Sequence, residues 1–233
     1  MPDRRAQEAK TALLALAHEV ERIGQDMASR GLEPAYHHRL HMADTLVALA
    51  AILKVQRMRQ GRQGHALSAA EWCLLMAMTA HDAGHDGRMN QAPAEMEQHT
   101  VQWLLPWVRA QGWPPARVRH WQALILGTDP VCTAQHRAAY GRHDPAWHER
   151  RPGAPSRALQ HLWLREADLL ASASTAHGPA LTLALHQEWQ GRYPKAAAGL
   201  LGRAARARFL REQGRWDSPA ARALMGQGPV DTN

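Results

Sequence analysis

Residues 68–90 read SAAEWCLLMAMTAHDAGHDGRMN, an apolar stretch followed by one dense in histidine, aspartate and glycine. Ser68 is followed three residues later by Glu71, the capping-box pattern that begins a helix. We therefore predict a helix from this point to about His81. The segment after it carries two glycines and then Pro93, which predicts a loop or a broken helix end.

The rest of the chain is also patterned for helices. Ala, Leu, Arg, Gln and Glu, all strong helix formers, dominate the composition. Runs of Val, Ile and Thr, which favour strands, are missing. Apolar residues at helical spacing predict further helices at about 6–29, 38–59, 94–111, 115–128, 132–140, 156–175, 180–191 and 195–213. We expect an all-α fold, a single domain over residues 1–233, a loop at 141–155 and a frayed tail after about 226.

The formal net charge of +7 comes almost entirely from arginine. Such a balance favours anionic partners such as phosphate esters or nucleotides. A genome whose base composition favours Arg codons over Lys codons explains the high arginine content equally well. The basic residues are scattered, so no nucleic-acid partner is predicted. The N-terminus lacks the apolar segment of a secretory signal, and the longest apolar stretch, residues 72–80, is too short to span a bilayer. These features predict a soluble, cytoplasmic protein.

Histidine is the outlier of the composition, with fifteen copies, several of them beside carboxylates. Four segments matter: residues 36–44 (YHHRLHMAD), 81–90 (HDAGHDGRMN), 126–129 (LGTD) and 165–169 (READL). Imidazole and carboxylate together suit Zn, Fe, Mn or Ni. Because a carboxylate can bridge two metals, one Asp beside one His can organise a binuclear centre about 3.5–4 Å across. The alternative is a buried polar network without metal, which is costly for unpaired carboxylates.

The 81–90 segment, in the form H-D-x-x-H-x-G-x-x-N, resembles the metal motif of the class I cyclic-nucleotide phosphodiesterases, metal-dependent phosphohydrolases of the HD type. The 36–44 segment is similar to that family's YHNxxHAxD segment. Residues 97–99 (EQH) are similar to its ENHH segment, and the last two segments to its LxATD and HxAD segments. The order agrees, and the matches span residues 36–168. The resemblance implies an HD-domain helical bundle around a binuclear metal site.

The resemblance also implies a role for each matched residue. The ligands of the tighter metal, which would be Zn, Fe or Mn, correspond to His41, His81, Asp82 and Asp168. Asp82 would bridge to a second metal, Mg or Mn, held mostly by water. His37 corresponds to the acid that protonates the leaving alkoxide, and His85 to a contact of the bridging hydroxide or the phosphate. The metal ligands and the acid, His37, would be held in position by Asp44, Glu97 and Asp129.

Three of these roles have alternatives that residue chemistry leaves open. His38 can take the acid role in place of His37. His85 can pack against the metal loop without contacting the substrate. Asp129 can be only a residue at the helix end before Pro130.

The sequence departs from the family where a nucleotide base would bind. The eukaryotic enzymes place a Gln three residues before a Phe, and this Gln hydrogen-bonds the purine. The only Phe in this chain is Phe209, and Arg206 stands three residues before it. Phe209 would cap a base, whereas Arg206 can only donate hydrogen bonds and would read a phosphate or another base edge. The alternative is that Arg206 faces solvent.

The sequence thus predicts a phosphodiesterase that cleaves a cyclic nucleotide or a related small phosphodiester by attack of a metal-bridged hydroxide. A first alternative is an HD-type nucleotidase or nucleoside triphosphate hydrolase, since Gly84-His85 is similar to their HDxGH form. A second is an HD-fold di-iron oxygenase, in which His99 or His120 would ligate a second metal. A third is a metal-stabilised regulatory domain without catalysis.

Overall fold

The computed structural model describes residues 4–141 and 155–226, and within them all regular secondary structure is helical. The all-α prediction is therefore confirmed. The first six helices are α1 (Arg4–Ser29), α2 (Arg39–Arg59), α3 (Ala69–Ala80), α4 (Glu95–Ala110), α5 (Pro115–Leu126) and α6 (Pro130–Gly141). After the gap come α7 (Arg157–Ala173), α8 (Gly178–Trp189), α9 (Pro194–Ala198), α10 (Arg203–Glu212) and α11 (Pro219–Leu224).

Helix α3 is the buried centre of the bundle, and it begins as its sequence predicts. The Ser68 hydroxyl accepts from the Glu71 N–H at 3.3 Å, and the Glu71 carboxylate accepts from the Ser68 N–H at 2.6 Å. Glu71 also binds the buried Arg57 of α2 at 2.9 Å. From Cys73 to Ala80 every residue of α3 is buried, so this helix is covered on all faces.

Helices α2, α3 and α7 form the frame that positions the histidines and carboxylates. α2 packs against α3, α7 and α11, while α3 also packs against α1 and α5, and α6 packs against α7. Fully buried side chains fill the space between them, including Leu49, Ile52, Leu74, Met76 and Leu164. This packing brings the start of α2, the end of α3 and the middle of α7 to one place.

The structure differs from the sequence prediction in the second half of the chain. The predicted helix at 195–213 is two helices, α9 and α10, because Gly202 adopts a left-handed φ of 92° between them. The helix predicted at about 132–140 begins earlier, at Pro130, since proline fits the first helical position. Helix α11 was not predicted. The predicted loop at 141–155 (apart from its end residues) and the tail after 226 lie outside the described residues.

No helix in the described residues combines the length and apolarity needed to cross a bilayer.

Candidate metal centre

Four side chains meet where α2, α7 and the end of α3 converge. His41 lies in the first turn of α2, and Asp168 lies in α7. His41 Nε2 is 3.1 Å from Asp168 Oδ1 and 3.6 Å from Asp82 Oδ2. His81 Nε2 is 3.1 Å from Asp82 Oδ2 and 3.5 Å from Asp168 Oδ1. These are the four residues predicted as metal ligands, and the structure brings all of them together.

The two imidazoles direct unpaired nitrogens at the two carboxylates. His81 Nδ1 lies 2.9 Å from the Met78 carbonyl oxygen, so in the neutral ring this nitrogen carries the proton and Nε2 has a lone pair. Burial lowers the pKa of His81, but Asp82 and Asp168 outweigh burial and raise it well above its usual value, so a bound cation would displace a proton from Nε2. Within the described residues, Nε2 of His41 and Nε2 of His81 are both buried and have no hydrogen-bond partner. Buried polar atoms left unpaired are costly, whereas a bound cation would satisfy them. The residues therefore fit a divalent metal with nitrogen and oxygen ligands.

Both carboxylates of the cluster are anionic near neutral pH. Burial opposes ionisation of Asp168, but its contacts with His41 and His81 outweigh burial and lower its pKa. Asp82 behaves in the same way. Burial raises its pKa, but the contact with His81 outweighs burial and lowers the pKa well below its usual value. The charged form is the one that a metal ligand must have.

A second group of side chains, beside the first, is built around His37. Its Nδ1 is 2.6 Å from Oε1 of Glu188 in α8. Oε2 of Glu188 accepts from the backbone N–H groups of Tyr36 at 2.8 Å and of His37 at 3.0 Å. Burial lowers the pKa of His37, but the bond to Glu188 and the charges of nearby carboxylates outweigh burial and raise it. His37 therefore holds a second ring proton, on Nε2, more firmly than a free imidazole.

Sequence reasoning missed Glu188. It belongs to none of the four segments, and it lies 151 residues from His37. The burial of Glu188 against a histidine is a tertiary contact, and no neighbouring residue in the chain marks it. Its pKa is lowered, because the contact with His37 outweighs the effect of burial.

His85 stacks on His37 with the ring centroids 3.9 Å apart, and its protonation is set by the loop. The N–H of Gly87 donates to His85 Nδ1 at 3.0 Å, so neutral His85 carries its proton on Nε2. This is the opposite tautomer to that of His81. Burial, and then the positive charge of His37, lower the pKa of His85 to about 4. Although these two histidines and Glu188 are close enough to ligate a metal, this tautomer makes His85 a hydrogen-bond donor instead.

The structure gives His38 and Asp44 positions that do not support the roles considered for them. His38 caps α2, because its Nδ1 accepts from the N–H groups of Leu40 and His41, both at 3.1 Å. Burial lowers the pKa of His38, so it is a poor proton donor near neutral pH. Asp44 is exposed on α2 and, within the described residues, forms no hydrogen bond or ion pair with the cluster.

Asn90 ties the metal-motif loop to the helices that follow it. Its amide nitrogen donates to Glu97 at 3.0 Å and to Asp129 at 2.8 Å, and its oxygen accepts from the Met96 N–H at 2.8 Å. Asp129 also accepts from the N–H groups at the start of α6, so it caps a helix rather than ending one. Burial raises the pKa of Glu97 to about 7. Glu97 and Asp129 thus hold the loop that carries His85.

Gly84 lets this loop pass close to α4. It has a left-handed φ of 76°, and a Cβ there would overlap the ring of Trp103. Both facts exclude a larger residue without local rearrangement. Position 84 therefore needs glycine in this fold.

The two histidines considered as extra metal ligands do not reach the cluster. His99 is exposed on α4. His120 pairs through Nε2 with the Gln160 side-chain oxygen at 2.7 Å, near a separate stacked pair, His136 and His161, whose rings are 3.6 Å apart. The geometry therefore does not support a second metal ligated by His99 or His120.

A cleft of about 560 Å³ opens next to the two groups. Its wall includes Tyr36, His37 and Asp168 on the side of the cluster. Its apolar lining includes Leu169, Leu181, Leu185, Trp189, Leu200 and Phe209. The cleft is within the usual volume of a small-molecule site, and it combines apolar walls with a few polar groups.

Arg206 and Phe209 both line this cleft, but the guanidinium of Arg206 is already engaged. It donates to the carbonyl oxygens of Ser172, of Ala173 at 3.0 Å and of Ser174 at 2.9 Å. These carbonyls end α7, where a helix has unpaired acceptors and a negative dipole end. Arg206 also lies over the Phe209 ring at 5.3 Å. The Arg206 side chain is thus not free to hydrogen-bond a nucleotide base, and it does not point into solvent.

Arg206→Ala is expected to lower the free energy of unfolding by about 2–3 kcal/mol, because charged hydrogen bonds to the end of α7 are lost. In a chain of this size that corresponds to a fall in Tm of roughly 5–10 °C. Thermal unfolding followed by circular dichroism measures it. Arg203→Ala, an exposed change in the same helix, is the control and should leave Tm nearly unchanged. Equal Tm values for the two variants would contradict the capping role.

The interpretation of the centre depends on its own geometry. Comparisons with models of protein families, with curated proteins and with solved structures find no match. What the structure supplies is a cluster of two histidines and two aspartates that can hold a metal, a buried His–Glu pair beside it, and a cleft that reaches both.

Proposed function

We propose that this chain is a metal-dependent phosphodiesterase of the HD type that hydrolyses a cyclic nucleotide or a related small phosphodiester. The observation that carries the proposal is the pair of buried Nε2 atoms of His41 and His81, unpaired within the described residues and facing two carboxylates. The ligand types support Zn, Fe or Mn at the tighter site. A second site around Asp82 would take Mg or Mn, because a carboxylate has a second oxygen to offer.

When bound, two divalent metals would supply hydroxide near neutral pH and neutralise charge on the phosphoryl oxygens. His41, His81, Asp82 and Asp168 would hold them. His81 is kept in the ligating tautomer by the Met78 carbonyl, and the ring therefore cannot turn its protonated nitrogen toward the ion.

In this proposal His37 acts on the leaving group. Its Nδ1 is bound to Glu188, which favours the imidazolium form, so Nε2–H is available to protonate a departing alkoxide. His85 stays neutral with its proton on Nε2 and can donate a hydrogen bond to a phosphoryl oxygen without competing for the proton of His37. Two stacked histidines thus take different tasks because one has a carboxylate partner and the other a backbone N–H.

The cleft supports a nucleotide-sized organic group on the phosphate. Its apolar side chains suit a flat base, and Phe209, half-buried in the lining, can stack on it. Arg165, which also lines the cleft, donates to the backbone carbonyls of Gln213 and Arg215 rather than to a carboxylate. Among the described residues its positive charge has no carboxylate in direct contact, which favours an anionic substrate.

The test is a metal and substrate panel. Chain stripped of metal and reloaded with Zn, Mn or Mg is assayed on bis-p-nitrophenyl phosphate, cAMP, cGMP and a nucleoside triphosphate, with oxygen uptake followed in parallel. We expect phosphodiester hydrolysis that disappears on stripping and returns on reloading. Turnover of the triphosphate alone supports the nucleotidase alternative, and two bound irons with oxygen uptake support the oxygenase. A chain that binds metal but turns over none of these substrates contradicts the proposal.

A further inference from the structure

Helix α2 is packed on most sides, yet one face of it is exposed and apolar. Leu40, Val47 and Met58 have 64%, 70% and 52% of their surface exposed. At 3.6 residues per turn, the positions of these three residues around the helix axis differ by no more than about 20°. The exposed residues between them are Ala43, Asp44, Ala50 and Lys54. We name this set, residues 40–58 on the exposed side, the α2 stripe.

The charges of the α2 stripe are placed symmetrically about its midpoint. Asp44 and Lys54 are each five positions from Leu49, and Leu40 and Met58 are each nine positions from it. Within the described residues neither Asp44 nor Lys54 forms an ion pair, and both are exposed. The two are ten residues apart, about 15 Å along the helix, so they cannot pair with each other. The stripe is therefore complementary to an antiparallel copy of itself.

We propose that the α2 stripe is the interface of a homodimer, in which two α2 helices pack antiparallel about a two-fold axis at the level of Leu49. Asp44 then lies opposite Lys54 of the second copy, and Leu40 opposite Met58 of the second copy. Val47 meets Ala51 of the second copy, where a small side chain lets the helices approach closely. Each contact occurs twice, as the symmetry of an isologous dimer requires.

A groove beside the stripe enlarges the surface that such a contact can cover. It has a volume of about 350 Å³, and its lining includes Ala50, Lys54, Met58, Leu67 and Leu75. The dimer places Leu40 of the second copy next to this groove, which gives that exposed side chain an apolar surface to cover. A stripe of about 27 Å with one adjoining groove is smaller than the surface of a stable dimer, so the dimer belongs to the weak, concentration-dependent class. This proposal does not depend on the proposed function.

The test is sedimentation over a concentration series. Wild-type chain is expected to pass from monomer to dimer as its concentration rises. Asp44→Lys places like charges opposite each other at two symmetric points, and so does Lys54→Asp. Each single change should weaken dimerisation at least about tenfold, since two attractions become two repulsions. The double variant Asp44→Lys/Lys54→Asp restores opposite charges across the axis and should recover dimerisation, an outcome that damage to the fold would not produce.

Two further variants complete the test. Val47→Arg puts a charge in the centre of the stripe and should give monomer. Leu183→Arg changes another exposed apolar residue, on α8 with 49% of its surface exposed, and should dimerise as wild type does. Circular dichroism checks that each variant is folded. Wild type that stays monomeric up to about 1 mM would overturn the proposal. So would a dimer that all the stripe variants leave intact, because another face would then form it.

Discussion

Asp82→Ala is expected to abolish turnover of a phosphodiester, by about 10³-fold or more, and to lower the amount of bound metal. The change removes the carboxylate that lies 3.1 Å from His81 Nε2 and 3.6 Å from His41 Nε2. Two buried imidazoles then face a single anion, Asp168, and the ligand that would bridge two metals is gone. Metal analysis of the purified variant and its kcat on bis-p-nitrophenyl phosphate measure the two effects.

Asp86→Ala is the matched control, because it makes the same chemical change four residues along the same loop. Asp86 is exposed and pairs with Arg88 at 2.6 Å rather than with the cluster. This variant should keep both metal and turnover. If instead Asp82→Ala retains wild-type metal content and activity, the assignment of the cluster as the catalytic metal site is wrong.

His37→Ala should lower turnover by about 10²–10⁴-fold on substrates with an alkoxide leaving group. An alkoxide is a poor leaving group unless it is protonated as the bond breaks, and in the proposed mechanism His37, paired with Glu188 at 2.6 Å, supplies that proton. Esters of p-nitrophenol should lose much less activity, since p-nitrophenolate needs little protonation. The measurement is the ratio of kcat/KM for the two substrate types, in wild type and in the variant. Equal losses on both would remove His37 from the acid role.

Glu188→Gln tests the source of the acidity separately. The bond to Glu188 raises the pKa of His37, which keeps the acid protonated to higher pH. Without the carboxylate the pKa of His37 falls, so the basic limb of the pH–rate profile on alkyl esters should move to lower pH. His38→Asn is the control, because Asn can still cap α2, and it should leave both the leaving-group ratio and the basic limb unchanged. A basic limb that does not move in Glu188→Gln would contradict the pairing.

The helices and the histidine–aspartate motif were predictable because their signals are local. The capping box of Ser68 and Glu71, the run of helix formers, and the loop after His81 each lie within a few residues of the structure they specify. The four residues of the candidate centre were predictable for a different reason. The segments that carry them resemble, in the same order, the motifs of a known metal-dependent family, and imidazole beside carboxylate suits metal binding.

What the sequence did not reveal depends on contacts between distant helices. The pairing of His37 with Glu188 joins α8 to the segment before α2 across 151 residues, and the capping of α7 by Arg206 joins residues 32 to 34 apart. The same packing leaves Asp44 exposed and keeps His99 and His120 away from the cluster, although their spacing in the chain allowed either role.

The sequence by itself determined the helical fold and the residue types that the candidate metal centre contains, because residue type and short-range spacing decide both. Only the three-dimensional structure decided protonation and partnership. His81 and His85 are four residues apart, yet their neutral rings carry the proton on opposite nitrogens. His81 faces a backbone carbonyl, and His85 faces the N–H of Gly87. Which backbone group meets each ring is a consequence of how α3 ends and how the loop turns.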